Sequence, residues 1–220
     1  MRSRRGDSSV TRLFTHLTAA LALAVLAAGM LSRAMTGTFE WTYPARFAAA
    51  VITLWVFRRT YRSLDWRFGW LSIGVGAAVF GMWIVLDRMG TGTPTGTPPA
   101  LASASPWLKL AWTTVRVSAA TLTVPIVEEL AFRGYLLRRL VAEDFEHVPL
   151  TARHWVPLAV SSIAFGALHQ GRWIAGTFTG LLYGLLLWRK GRLGDPVAAH
   201  ATTNALLALY VLSLEQWQLW

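Results

Sequence analysis

The run from Trp107 to Leu137 reads WLKLAWTTVRVSAATLTVPIVEELAFRGYLL. It is apolar almost throughout, too long for one straight span, and interrupted by Pro125. Glu128, Glu129 and Arg133 lie within it among valine, isoleucine and leucine. A hydrocarbon layer about 30 Å thick takes about 20 apolar residues of helix. A run of this kind belongs in lipid. The composition of the whole chain agrees: of 220 residues, 54% are hydrophobic and only 15% charged. A soluble domain carries about 25% charge. So little charge leaves a water-facing surface uncovered.

Working outward, further apolar runs extend from Leu13 to Leu31, Pro44 to Phe57, Trp70 to Leu86, Trp155 to Leu168, Ile174 to Trp188 and Pro196 to Leu214. The expected fold is all-α, a polytopic transmembrane helix bundle of about seven spans (six to eight). The first run is longer than a signal-peptide core and is expected to be a retained helix. Gly90 to Pro106 is a Gly/Thr/Pro/Ser stretch that reads as a flexible extramembrane loop. It divides residues 1–106, the N-terminal helices, from residues 107–220, the expected catalytic core. Trp66, Trp70, Trp107, Trp155, Trp173, Trp188, Trp217 and Trp220 fall at run ends, suiting an interfacial belt.

The charges are placed as membrane proteins place them. The formal net charge of +10 would suggest nucleic acid in a soluble protein. Here the arginines flank apolar runs, and no nucleic-acid partner is expected. Leaving out Arg116 and Arg133, and with the N-terminus inside, fourteen basic residues fall on the inner side and five on the outer. That asymmetry predicts a multi-pass inner-membrane protein with its N-terminus cytoplasmic and its C-terminus outside. The absence of cysteine excludes thiol catalysis, disulfides and cysteine-based metal sites.

Ionisable side chains inside apolar helices are functional candidates by default. Glu128 and Glu129 repel each other, and Arg133, one turn past Glu129, can neutralise it. An internal salt bridge accounts for one glutamate and not for the second. Pro125 leaves a carbonyl in the preceding turn, that of Thr121 in a regular helix, without its donor. His169 ends the fifth run, and His200 and Asn204 share a face of the seventh. The bland reading of His169 is an interfacial anchor or a packed core residue, and that of His200 and Asn204 is interhelical glue. Together, a carboxylate base, two imidazoles and an amide can activate water and stabilise an oxyanion. The chain has no His-Glu-x-x-His zinc pair and no Gly-x-Ser-x-Gly elbow. Asp65, Asp87 and Asp195 all sit at span ends. By helical rise, Glu128 lies about 15 Å from its inner end, His200 about 8 Å and His169 about 24 Å. The three meet only if the fifth span starts deeper or tilts.

Glu128-Glu129-x-x-x-Arg133, Phe165-x-x-x-His169 and His200-x-x-x-Asn204, in that order, resemble the CPBP family of intramembrane proteases, also called the CAAX prenyl protease 2 or ABI family. Val124 to Leu137, Gly171 to Lys190 and the closing Gln216 to Trp220 resemble its exosortase-associated bacterial branch, which implies an exosortase-type sorting system as partner. The resemblance implies an intramembrane endopeptidase acting on a membrane-associated protein or peptide. Glu128 would activate water, His169 hold it, and His200 and Asn204 stabilise the oxyanion. Glu129 and Arg133 would be the supporting pair, with Phe165 beside them. It implies a metal-free mechanism and no cofactor; zinc on Glu128, His169 and His200 is the minority alternative. Two other readings fit the same charges, a non-catalytic membrane scaffold or chaperone and a proton-coupled transporter. A transporter is expected to show inverted repeats or breaks in both halves, and only one break is seen.

Overall fold

The computed structural model describes residues 39–90 and 95–220, and the expected span from Leu13 to Leu31 lies outside them. Among the described residues the regular structure is helical, with no strand. The six remaining runs each become one principal helix. They are α1 (Tyr43–Val56), α2 (Trp70–Met89), α3 (Pro106–Arg139), α4 (Trp155–Ala167), α5 (Trp173–Lys190) and α6 (Gly194–Leu214). By length and composition α2, α3 and α6 can each cross a membrane; α1 and α4 are apolar but shorter.

Helix α3 has 34 residues, about 51 Å. Ser105 caps its start, accepting from the Leu108 N–H at 3.4 Å, and Pro106 follows at the position where its missing N–H is harmless. The break occurs where proline demands it, but its register differs from expectation. Over Ala119–Thr123 the helix widens to five-residue turns, with the Val124 N–H bonded to the Ala119 carbonyl. In that register the carbonyl that Pro125 fails to serve is Ala120's, not Thr121's. Asn204 supplies the substitute, donating from Nδ2 at 2.8 Å. Such wide turns within α-helices recur at functional sites. A second wide segment, Leu130–Leu136, carries Arg133.

Small residues set the helix contacts. Gly176, Gly180 and Gly184 lie at four-residue steps along α5, and α4 crosses directly over them. A Cβ on Gly180 would meet Ser162 Cα at 2.9 Å, and one on Gly184 would meet Leu158 Cδ1 at 2.2 Å. Close backbone approach of this kind is how helices pair in lipid. Gly76 does the same between α2 and α6, 2.3 Å from the Ala199 carbonyl by the same measure. At one end of these two helices the buried Asp195 carboxylate accepts from Gly69 N–H (3.1 Å), Ser72 Oγ (2.6 Å) and Arg192 Nε (2.9 Å). Gly191, in the left-handed conformation at φ +64°, makes the turn that brings α6 back against α5. Val156, Val160 and Ile163 of α4, with Phe178 and Leu182 of α5, are exposed, as side chains facing lipid would be.

Two expectations need correction. The Gly90 to Pro106 stretch is partly packed: Leu101 is fully buried beside Tyr43, Trp112 and Trp217, and Thr95 accepts from the Trp217 N–H at 3.2 Å. Trp217 and Trp188 are buried, not part of an exposed belt, whereas Trp70, Trp107, Trp155 and Trp173 are exposed. Trp188 is buried among Leu158, Leu187 and Leu193, whereas the burial of Leu101 and Trp217 has another cause. The segment after α6 turns at Glu215 (φ +53°) and folds back over the bundle end.

Candidate active site

A cavity of about 520 Å³ runs between α2, α3, α5 and α6, and Glu128, His169, His200 and Asn204 all line it. That is the size of an ordinary small-ligand site. The four residues singled out from sequence therefore share one space, although they come from α3, α6 and the turn after α4.

Glu129 is fully buried behind them. Its Oε1 accepts from Arg133 Nη1 at 3.1 Å and from His200 Nδ1 at 3.0 Å. Arg133, also buried, spends a second donor on the Gly180 carbonyl at 3.0 Å. The pair thus ties α3 to α5 and α6. By holding Nδ1, Glu129 fixes the His200 ring and turns its Nε2 toward Glu128, whose Oε2 is 3.8 Å away. A carboxylate that orients an imidazole in this way is a recurrent catalytic arrangement.

Phe165 is the hub between the motifs. Its ring lies 4.4 Å under the Arg133 guanidinium, 5.0 Å from the His169 ring and 5.9 Å from the His200 ring. His169 itself follows the end of α4. Its Nδ1 bonds the Phe165 carbonyl at 3.0 Å, and its N–H bonds the Gly166 carbonyl at 2.9 Å. That tight turn resolves the depth problem. Ser161 Oγ donates to the Phe132 carbonyl at 3.3 Å, so α4 and α3 are level there. From that level Glu128 is about 6 Å farther along, and His169 about 12 Å by helical rise. The helix ends at Ala167, and the chain turns back instead of climbing further. Gln170, with φ +45°, carries the strained backbone of this turn.

Sequence reasoning missed several neighbours. Trp83 of α2 packs edge-on to His169 at 5.3 Å, with its Nε1 donating to Thr179 Oγ1 at 2.8 Å. Tyr183 is fully buried, 5.4 Å from the His200 ring, and its hydroxyl is 2.7 Å from Thr203 Oγ1. Thr203 donates its own proton to Gly76 or Ala199 carbonyls, so Tyr183 is the donor of that pair. Gly176 makes room for His169: a Cβ there would sit 2.8 Å from its Nδ1. An aromatic residue within an apolar run looks like core, and only the α5 glycine steps were available as a sequence signal. Among the described residues no three His, Asp or Glu side chains are grouped to hold a metal ion.

Residues 109–206 match the family model of type II CAAX prenyl endopeptidase, Rce1-like proteins. Over that stretch the chain is similar to Rce1-like proteins. No curated protein and no solved structure matches the chain. The description of that model is one of CAAX prenyl endopeptidases, and among the described residues three helices are long and apolar enough to cross a membrane. The Rce1-like segment contains Glu128, Glu129, Arg133, Phe165, His169, His200 and Asn204. The cavity extends beyond it. Trp83 and Tyr43 lie before the Rce1-like residues and Trp217 and Trp220 after them, yet all four line the same space.

Proposed function

We propose that this chain hydrolyses a peptide bond of a membrane-associated protein or peptide within the cavity, with Glu128 as the base. The observation that carries this reading is the pairing of a structural carboxylate, Glu129, with a second carboxylate, Glu128, that faces the cavity beside two imidazoles. Glu128 takes a proton from water, whose oxygen adds to the carbonyl carbon. His169 holds that water. The oxyanion forms at Asn204 and His200. Asn204 spends one Nδ2–H on Ala120 and keeps a second for the oxyanion. His200 donates from Nε2 when its ring carries both protons, because Nδ1–H is given to Glu129. The C–N bond then breaks, Glu128 passes its proton to the leaving amine, and the products are a carboxylate and an amine. No step calls on a metal. The charge asymmetry supports a cytoplasmic N-terminus in an inner membrane.

Mass spectrometry of a peptide library reconstituted in vesicles with the purified chain tests the reaction class. Paired fragments whose masses sum to a parent plus one water, lost in His169→Ala, are expected. A library left intact by the wild-type chain contradicts proteolysis and favours a scaffold or transporter.

A further inference from the structure

The cavity leaves the candidate catalytic groups in one direction only. On α3 its lining residues run from Trp112 to Glu128 at four-residue steps and stop there. On α6 they begin at His200 and continue through Thr203, Asn204 and Leu207. On α5, which runs the other way along the bundle, they end at Tyr183. Among the described residues of these three helices, none on the far side of Glu128, His200 or Tyr183 takes part. That far side is filled. Leu130, Leu137, Leu158, Leu187, Trp188 and Leu193 form a buried apolar cluster there. A plug packed like a protein interior leaves no path for a peptide.

The closed and open ends of the bundle also differ in charge. The closed end gathers residues 57–69, 138–154 and 189–193. The Gly194 N–H bonds the Asp65 carbonyl at 3.1 Å, and Tyr61, Leu64 and Leu150 pack onto the plug. These segments carry ten arginines and lysines. The open end gathers residues 39–46, 87–90, 95–109 and 168–173. Trp112 Nε1 donates to the Glu40 carbonyl at 3.3 Å, Leu101 packs beside Tyr43, and Arg172 pairs with Asp87 at 2.7 Å. These segments carry four. Lysine and arginine concentrate on the cytoplasmic side of membrane proteins. By that rule the plug faces the cytoplasm, and the cavity faces away from it.

The mouth lies at the turn after α4. Gln170 and Gly171 of the cavity wall are exposed, and a Cβ on Gly171 would meet open space. The Arg172–Asp87 pair sets this turn level with the last turn of α2, about 26 Å from the start of that helix at the closed end. A hydrocarbon layer is about 30 Å thick, so the mouth stands near its outer boundary.

We infer that the substrates are exported: membrane-anchored proteins or peptides whose scissile bond lies on the non-cytoplasmic side and enters past Gln170 and Gly171. This rests on the proteolytic reading of Glu128. A segment presented from the cytoplasm meets the plug instead.

The chain has no cysteine, so single introduced thiols report on their own positions. Gly171→Cys at the mouth and Ser63→Cys at the basic end are treated with a membrane-impermeant maleimide in right-side-out and in inverted vesicles from expressing bacteria. Gly171→Cys should label only in the first and Ser63→Cys only in the second. The wild-type chain in the same vesicles is then offered an internally quenched peptide library, acylated to enter the leaflet it meets and charged so that it does not cross. Cleavage is expected in right-side-out vesicles and its loss in inverted ones. Maleimide on Gly171→Cys should abolish that cleavage, and maleimide on Ser63→Cys should not. Cleavage in inverted vesicles at the right-side-out rate or above overturns the inference, as does labelling of Gly171→Cys from the cytoplasmic side. A detergent-opened sample runs in parallel. Cleavage there with none in right-side-out vesicles sinks this inference alone; no cleavage even there sinks the proteolytic reading, and the labelling still decides which side the mouth faces.

Discussion

Two buried carboxylates hold this bundle together, and they are not equivalent. Asp195 accepts from an arginine, a hydroxyl and a backbone N–H, using both oxygens. Glu129 accepts from an arginine and an imidazole through Oε1 alone, and its Oε2 has no hydrogen-bond partner among the described residues. Asp195 closes a helix junction. Glu129 stands behind a cavity and passes its hold to His200 and so to Glu128. A buried ion pair does not by itself mark a site. What marks one here is the second layer of ionisable groups, open to a cavity.

That contrast can be broken by substitution. Asp195→Asn and Glu129→Gln should each destabilise the fold by about 3–5 kcal/mol, the size of a buried pair left with one partner. Melting in detergent reads both. Only Glu129→Gln should also lower turnover in the molecules that remain folded; equal turnover loss in both would erase the distinction. A second, somewhat smaller effect sits on α6. Asn204→Ala should lower the rate about 10²–10³-fold, as loss of one oxyanion donor does. Pro125→Ala returns an N–H to compete for the carbonyl that orients Asn204. It should lower the rate about tenfold, and the double substitution should be no worse than Asn204→Ala alone, since the two act through one interaction. A double loss that multiplies would separate them.

The smallest effect lies outside the membrane. The Arg67 side chain, bonded at 3.0 and 2.7 Å, holds the exposed Asp65 carboxyl down at about 2. A carboxyl held below its ordinary value near 4 contributes above that value and loses the contribution as pH falls toward 2. The difference in melting between wild type and Asp65→Asn should be small, constant from pH 7 to 5, and lost as pH falls through about 2.

Much of this was legible because lipid makes polarity conspicuous. Glu128, Glu129, Arg133, His169, His200 and Asn204 stand out against apolar neighbours, and six helices follow from apolar length with ends shifted by three residues or fewer. What escaped was carried by residues that look ordinary in such a setting. Trp83 and Tyr183 read as core. The widened register before Pro125 depends on a donor from α6 and has no local signature. The packing of Leu101 and Trp217 over the bundle end is a tertiary contact between two stretches that each read as surface. Gly176 reads as helix packing, although its missing side chain also admits the His169 ring.

The most direct measurement compares wild type with Glu128→Gln for cleavage of a vesicle-reconstituted peptide, each with and without a chelator, alongside melting of both proteins. The account predicts wild-type cleavage unchanged by the chelator, none in Glu128→Gln, and matching melting temperatures. Cleavage by Glu128→Gln at the wild-type rate, or wild-type cleavage that stops with the chelator and returns with zinc, would contradict it.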